Sequence, residues 1–297
     1  MIEMIIEQRR RSLGGGLEVG RVLPFAKRRM VGPFVFFDHM GPLDVAAGVD
    51  RTLDVRPHPH IGLSTVTYLF SGEIMHRDSV GSHQPIRSRE VNWMTAGSGI
   101  THSERFEKAR AVGDRLHGIQ AWVALPVEAE ETAPSFSHHA GDDLPQWNEA
   151  GVHGQLIAGE AYGLNAGVKT HSPLFYAHLD LQNGATAEVP EGYSERAIYI
   201  ATGAVKVDGT RHEAGQMLVL GPGVSRLRAD GSATVMVLGG EPLGERFLFW
   251  NFVSSSRERL DQAAADWKAG RMKLPDGDSD EFIPLPDTPP APPPSMS

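Results

Sequence analysis

Glycine (33 residues) and proline (21) interrupt this chain so often that most periodic segments are runs of only four to eight residues. That punctuation constrains the fold more than any other feature. The runs LSTVTYLF, RAIYIATG, QMLVLGPG and ATVMVLGG are rich in β-branched and aromatic residues, and each is bounded by glycine, proline or aspartate. Short strands of this kind at close spacing predict an all-β sandwich or barrel. With 297 residues and 40% hydrophobic content the chain can fill two cores, since domains cluster near ~100–150 residues.

The expected order is a domain over 1–130, an acidic linker over 131–151 punctuated by Pro134 and Pro145, and a second β domain over 152–253. A C-terminal helix is expected over 254–273. Ser255 can cap it with Glu258 three residues on, Leu260, Ala264 and Trp267 share one face, and Gly270 with Arg271 and Lys273 closes it. The remainder, 274–297, is proline-rich without a packable pattern and is expected to be extended or disordered.

A net charge of −9 argues against a nucleic-acid partner, which would favour a basic face. Arg9, Arg10 and Arg11 form a short basic cluster that reads as a solvated surface. The absence of cysteine excludes disulfides and thiolate ligands, so any metal must be held by nitrogen and oxygen. The opening MIEMIIEQRRR puts apolar residues before arginines, the reverse of a secretory signal, and no apolar run approaches the ~18 residues of a membrane helix. These features predict a soluble, cytoplasmic protein with no membrane contact.

Chemistry concentrates in two stretches. In VRPHPHIGL, His58 and His60 stand two apart, so they project from one face of a strand, and Pro57 and Pro59 suit an edge or strand mouth. In TAGSGITHSERF, His102 and Glu104 form a second pair on one face. Two such pairs meeting across a small barrel would offer three imidazoles and a carboxylate to a divalent metal. Alternatively, Glu104 caps a turn and His102 is a satisfied core histidine.

The segments FVFFDHMGP, PHPHIGLSTVTYLFSGEIMHRDSVG, WMTAGSGITHSE and GGEPLGERFLFWNFVSS resemble the pirin family of two-cupin proteins, over about residues 8–272. The resemblance implies two tandem cupin barrels, with metal ligands His58, His60, His102 and Glu104 in the first. The glutamate of the general cupin pattern falls at Thr65, and Glu104 takes its role in the pirin variant.

In the second half the corresponding strand carries Tyr193, Glu195 and Arg196, so no second metal site is expected, and His212 reads as an isolated surface residue. GGGLEVG lacks the spacing of a dinucleotide loop, and no G-x-S-x-G elbow is present. His76 with Asp78 reads as an exposed hairpin pair, Asp38 with His39 as structural, and His138 with His139 as solvated.

The resemblance also implies activity similar to quercetin 2,3-dioxygenases, which open the central flavonol ring and release carbon monoxide. On that expectation Fe(II) is the cofactor, with Mn, Co, Ni, Cu and Zn also compatible with the donors, and a flavonol and dioxygen are the small-molecule partners. Glu104 would be both ligand and catalytic base, and Val66, Tyr68 and Trp93 would line the substrate side. A different expectation from the same family is a metal- and redox-dependent regulator acting through a protein partner. A third is a two-cupin protein whose metal only stabilises the fold.

Overall fold

The computed structural model describes residues 1–13 and 17–286. Nearly every element is a strand, as the glycine and proline punctuation predicts, and the chain forms two compact units.

One unit is built from Met1–Arg9, Gly20–Phe34 and Asp142–Pro242. Its larger sheet runs in the order Ile2–Glu7, Gln216–Leu220, Glu195–Thr202, Ala233–Gly240, Leu174–Leu181, Val152–Ala161, Gln146–Glu149. A four-stranded sheet, Thr186–Val189 to Thr210–Glu213, supplies the second layer. Inward residues such as Leu156, Phe175, Ile198, Leu218 and Val237 are fully buried between them.

The other unit takes Arg10–Val19, Val35–Gly141 and the chain from Leu243 onward. In its larger sheet, Ser135–His139, Val91–Thr95, Leu63–Ser71, Asp114–Ala124 and Phe34–Val45 lie side by side. Its smaller sheet runs Val55–His60, Ile100–Arg105, Glu73–Asp78, His83–Arg87 and carries the histidines singled out above.

The units therefore cross the sequence order expected from 1–130 and 152–253. Strand Ile2–Glu7 pairs antiparallel with Gln216–Leu220 of the second-half sheet, covering an edge that would otherwise expose its backbone groups. The segment from Leu243 belongs instead with the first-half unit. There Arg246, buried among backbone carbonyls, donates to Leu125 O at 3.0 Å and pairs with Glu130 at 3.1 Å. Glu130 also accepts from the Ser255 amide at 2.9 Å, so each buried charge has partners.

The expected linker, 131–151, is structured: Ser135–His139 pairs with Val91–Thr95, and Gln146–Glu149 pairs with Val152–Ala161. Its acidic composition hid the short alternating runs. The helix spans Arg257–Lys268, and its cap is Ser256, whose hydroxyl accepts from the Arg259 amide, because Ser255 is occupied by Glu130. Leu260, Ala263 and Trp267 pack against Ile61 and Phe252. Residues 274–286 of the expected tail are placed against the first-half unit, where Ile283 N donates to Pro57 O at 2.8 Å; 287–297 lie outside the described residues. His212 is buried rather than on the surface.

The strand that ends at His60 turns at Gly62, whose φ of +67° lies in the left-handed region. A Cβ there would collide with the Val253 carbonyl, while Val253 N donates to Ile61 O at 3.2 Å. Gly62→Ala therefore combines left-handed strain with a backbone clash, costing about 2 kcal/mol or more. The expected result is a thermal midpoint lowered by about 4–8 °C; an unchanged midpoint by calorimetry would refute this reading of the turn.

Candidate metal centre

Strands Val55–His60 and Ile100–Arg105 are antiparallel neighbours, with His102 directly opposite His58 and Ile100 opposite His60. Strand alternation then projects His58, His60 and His102 from one face. Their rings cluster, with centroids 5.0 Å apart for His58–His60, 4.4 Å for His58–His102 and 5.0 Å for His60–His102. One nitrogen from each lies within 4.8 Å of the others, and among the described residues this is the one such set of three or more that could hold a metal ion.

The hydrogen bonds around the rings decide which nitrogen is free. His58 Nδ1 lies 2.9 Å from the Arg56 carbonyl and His60 Nδ1 lies 3.1 Å from the Asn251 carbonyl. A carbonyl only accepts, so each Nδ1 carries the proton and each Nε2 presents a bare lone pair. His102 Nε2 stands 3.1 Å from His60 Nε2, while its Nδ1 faces His76 Nδ1 at 3.4 Å. Two bare nitrogens at 3.1 Å repel each other, and a cation between them removes that conflict. The donor chemistry therefore fits a divalent metal, which takes neutral imidazoles through Nε2.

Burial keeps these rings neutral. His58 is pushed down to about 4, chiefly by burial, with His76 adding to the effect and the Arg56 carbonyl opposing it. His60 and His102 are held well below the usual histidine range by burial, reinforced by the neighbouring imidazoles.

Glu104 follows His102 by two residues on the same strand and stands opposite Val55 and His76. Its carboxylate is not part of the mutually close set. Burial alone pushes its carboxyl up to about 7.

His76 and Asp78, read from sequence as an exposed pair, are buried. His76 Nε2 donates to Asp78 Oδ2 at 2.9 Å, which leaves His76 Nδ1 to accept from His102. A continuous line, Asp78 to His76 to His102, thus fixes the orientation of the third imidazole. The only sequence signal for it was the shared parity of the two residues.

The aromatic wall differs from the expected one. Trp122 meets His60 edge to face at 5.0 Å and stacks on Phe36 at 4.0 Å. Phe136 stacks on His76 at 4.5 Å. Across the sheet Trp122 stands opposite Thr65, Thr65 opposite Met94, and Met94 opposite Phe136, so this row faces the imidazoles. Val66 and Trp93 stand opposite each other one residue along, and Tyr68 shares the parity of Val66. All three therefore face away from the metal-competent cluster.

Other sequence candidates have different roles. His39 and His117 form a buried pair at 2.8 Å, and His39 is pushed down to about 3 by burial and by His117. His138, expected to be solvated, sits on a strand with its Nδ1 2.8 Å from Asn92 Oδ1. His139 is half-buried on the same strand, its Nε2 3.1 Å from Ser137 Oγ. In the second-half unit Tyr193 donates to Glu160 O at 2.7 Å, Glu195 pairs with Arg28 at 2.8 Å, and Arg196 donates to the Gly223 carbonyl at 3.0 Å. No described helix is long and apolar enough to cross a membrane.

Two β units, one of them bearing a buried imidazole triad on neighbouring strands, define a two-cupin protein with one metal-competent centre among the described residues. The pirin family model matches residues 16–123, and the model for the pirin C-terminal cupin domain matches 176–273. The chain belongs to the pirin family. It is 60% identical to a pirin-like protein of Caulobacter vibrioides, over 97% of this chain and 100% of that one. It is 38% identical, over 91% of this chain and 84% of the other, to a Pseudomonas aeruginosa protein whose name assigns it quercetin 2,3-dioxygenase activity provisionally. A crystal structure of quercetin 2,3-dioxygenase from Acinetobacter baumannii aligns with a TM-score of 0.90 at 31% identity, covering 99% of this chain and 98% of that one.

Proposed function

We propose that this protein is a metal-dependent dioxygenase acting on flavonols such as quercetin, with Fe(II) held by His58, His60, His102 and Glu104. The observation that carries the proposal is the buried triad, with one nitrogen each of His58, His60 and His102 within 4.8 Å of the others and the Nε2 of His58 and His60 left bare by hydrogen bonds from Nδ1 to carbonyls. The names of the Pseudomonas and Acinetobacter relatives supply the substrate class. A cytoplasmic location belongs to the same proposal.

When bound, a divalent ion supplies positive charge that favours a deprotonated substrate hydroxyl and a place where substrate and dioxygen meet. The chain supplies the rest. Glu104 accepts the 3-hydroxyl proton at a carboxylate oxygen, as a positioned general base. Trp122, backed by Phe36, offers a flat apolar wall beside His60 and keeps water from it. Asp78 and His76 hold His102 in place.

Oxygen uptake with quercetin tests this directly. Fe(II)-loaded wild type should consume about one dioxygen per flavonol and release carbon monoxide, and Glu104→Gln should lose about 10²–10⁴-fold in rate. Full activity in Glu104→Gln would remove Glu104 as base, and an iron-loaded wild type without turnover would overturn the dioxygenase reading.

A further inference from the structure

The ladder between the two ligand strands is irregular at one place. His102 stands opposite His58, but Glu104 stands opposite Val55, so the register slips between the two proposed ligands of Ile100–Arg105. Such a slip leaves ladder groups unpaired and lets a strand bend. Here the neighbouring groups are taken up by a segment far away in sequence.

Asp278 reaches the outer face of the strand on both sides of Glu104. Ser103 Oγ donates to Asp278 Oδ2 at 2.6 Å, and Arg105 donates through Nε to Oδ2 at 2.7 Å and through Nη2 to Oδ1 at 2.6 Å. Ser103 and Arg105 are buried, and the Asp278 side chain is 10% exposed. A two-pronged Arg–carboxylate contact in such surroundings fixes geometry as well as adding energy. The same segment bonds on either side of this contact: Thr101 Oγ1 donates to the Lys273 carbonyl, and Ile283 N donates to the Pro57 carbonyl at 2.8 Å. Trp267 Nε1 holds the far end by donating to Ile283 O at 3.0 Å. The strapped side chains, at 101, 103 and 105, alternate with the inward positions 102 and 104, and Pro57 precedes His58.

We infer that Asp278 is a positioning residue for the metal centre: through Ser103 and Arg105 it clamps the strand that carries His102 and Glu104, and so sets where Glu104 stands relative to the imidazole triad. The inference rests on the metal-site reading and adds to it a determinant some 170 residues away in sequence. Asp278 touches no ligand atom and acts only through the strand.

The test is Co(II) binding to the full-length protein, read by titration and by the visible absorption of the bound ion, which reports its coordination geometry. Asp278→Asn should weaken Co(II) binding by about 10–100-fold, the range for residues that orient ligands, and should shift the absorption bands. Asp278→Glu should recover part of both. Ser103→Ala, which leaves the Arg105 pair intact, should give a several-fold loss in the same direction and decides the matter if Asp278→Asn does not fold. Wild-type affinity and spectrum in Asp278→Asn or Ser103→Ala, even with a lowered melting temperature, would show the strap to be structural only and overturn the inference. Failure of the wild type to bind Co(II) would instead bring down the site reading and this inference together.

Discussion

His102→Ala should abolish stoichiometric metal loading, leaving well under one ion per chain after dialysis where the wild type keeps close to one. His102 is the residue on which both contact networks converge, with Nε2 3.1 Å from His60 and Nδ1 3.4 Å from His76. Structural metal sites with four ligands contribute about 10–16 kcal/mol, so one ligand carries roughly 3 kcal/mol, or more than about 100-fold in affinity. The loss should exceed that of Asp278→Asn because the donor atom itself is gone. Retention of a full complement of metal by His102→Ala, measured by elemental analysis, would mean that the ion sits elsewhere.

The second large effect is a proton count. At pH 6 a carboxyl with a pKa of about 7 is about 90% protonated, and the three imidazoles, all lowered, are already neutral. A metal that takes Glu104 as a ligand must displace that proton, so binding should release about 0.9 proton at pH 6 and about 0.1 at pH 8. Affinity should accordingly rise with pH up to about 7 and then level off, since a raised carboxyl pKa opposes binding only below that value. Calorimetry in buffers of different ionisation enthalpy reads the count. Glu104→Gln should bring it near zero at both pH values. A wild-type count near zero at pH 6 would leave Glu104 outside the coordination sphere, and a count near three would mean that the imidazoles titrate much higher than their burial implies.

Period-two patterning made the strands legible, and the shared parity of His58 and His60, with His102 on the neighbouring strand, made the imidazole triad legible, because in a strand shared parity is shared direction. Parity does not say which face turns inward. Val66, Tyr68 and Trp93 share one face, but the sheet turns the Thr65, Met94 and Trp122 row toward the imidazoles. Local composition also misled where burial is decided by distant chain. His76 and Asp78 look like hairpin surface, yet both are buried, and Phe136, from the acidic stretch expected to be a linker, stacks on His76. Asp278 sits in a polar, proline-flanked segment with no periodic pattern, and its place is set by Ser103 and Arg105. Ser255 lost the helix cap to Ser256 because Glu130 binds it first. Each discrepancy comes from a contact between residues far apart in sequence, where local spacing carries no signal.

The most direct test of the metal centre is a crystal structure of the anaerobically Fe(II)-loaded protein with diffraction recorded on both sides of the iron absorption edge. A single anomalous peak is expected about 2.0–2.2 Å from Nε2 of His58, His60 and His102, with a Glu104 carboxylate oxygen as fourth protein ligand. A peak bound through other residues, or none at the triad in crystals that contain stoichiometric iron, would contradict it.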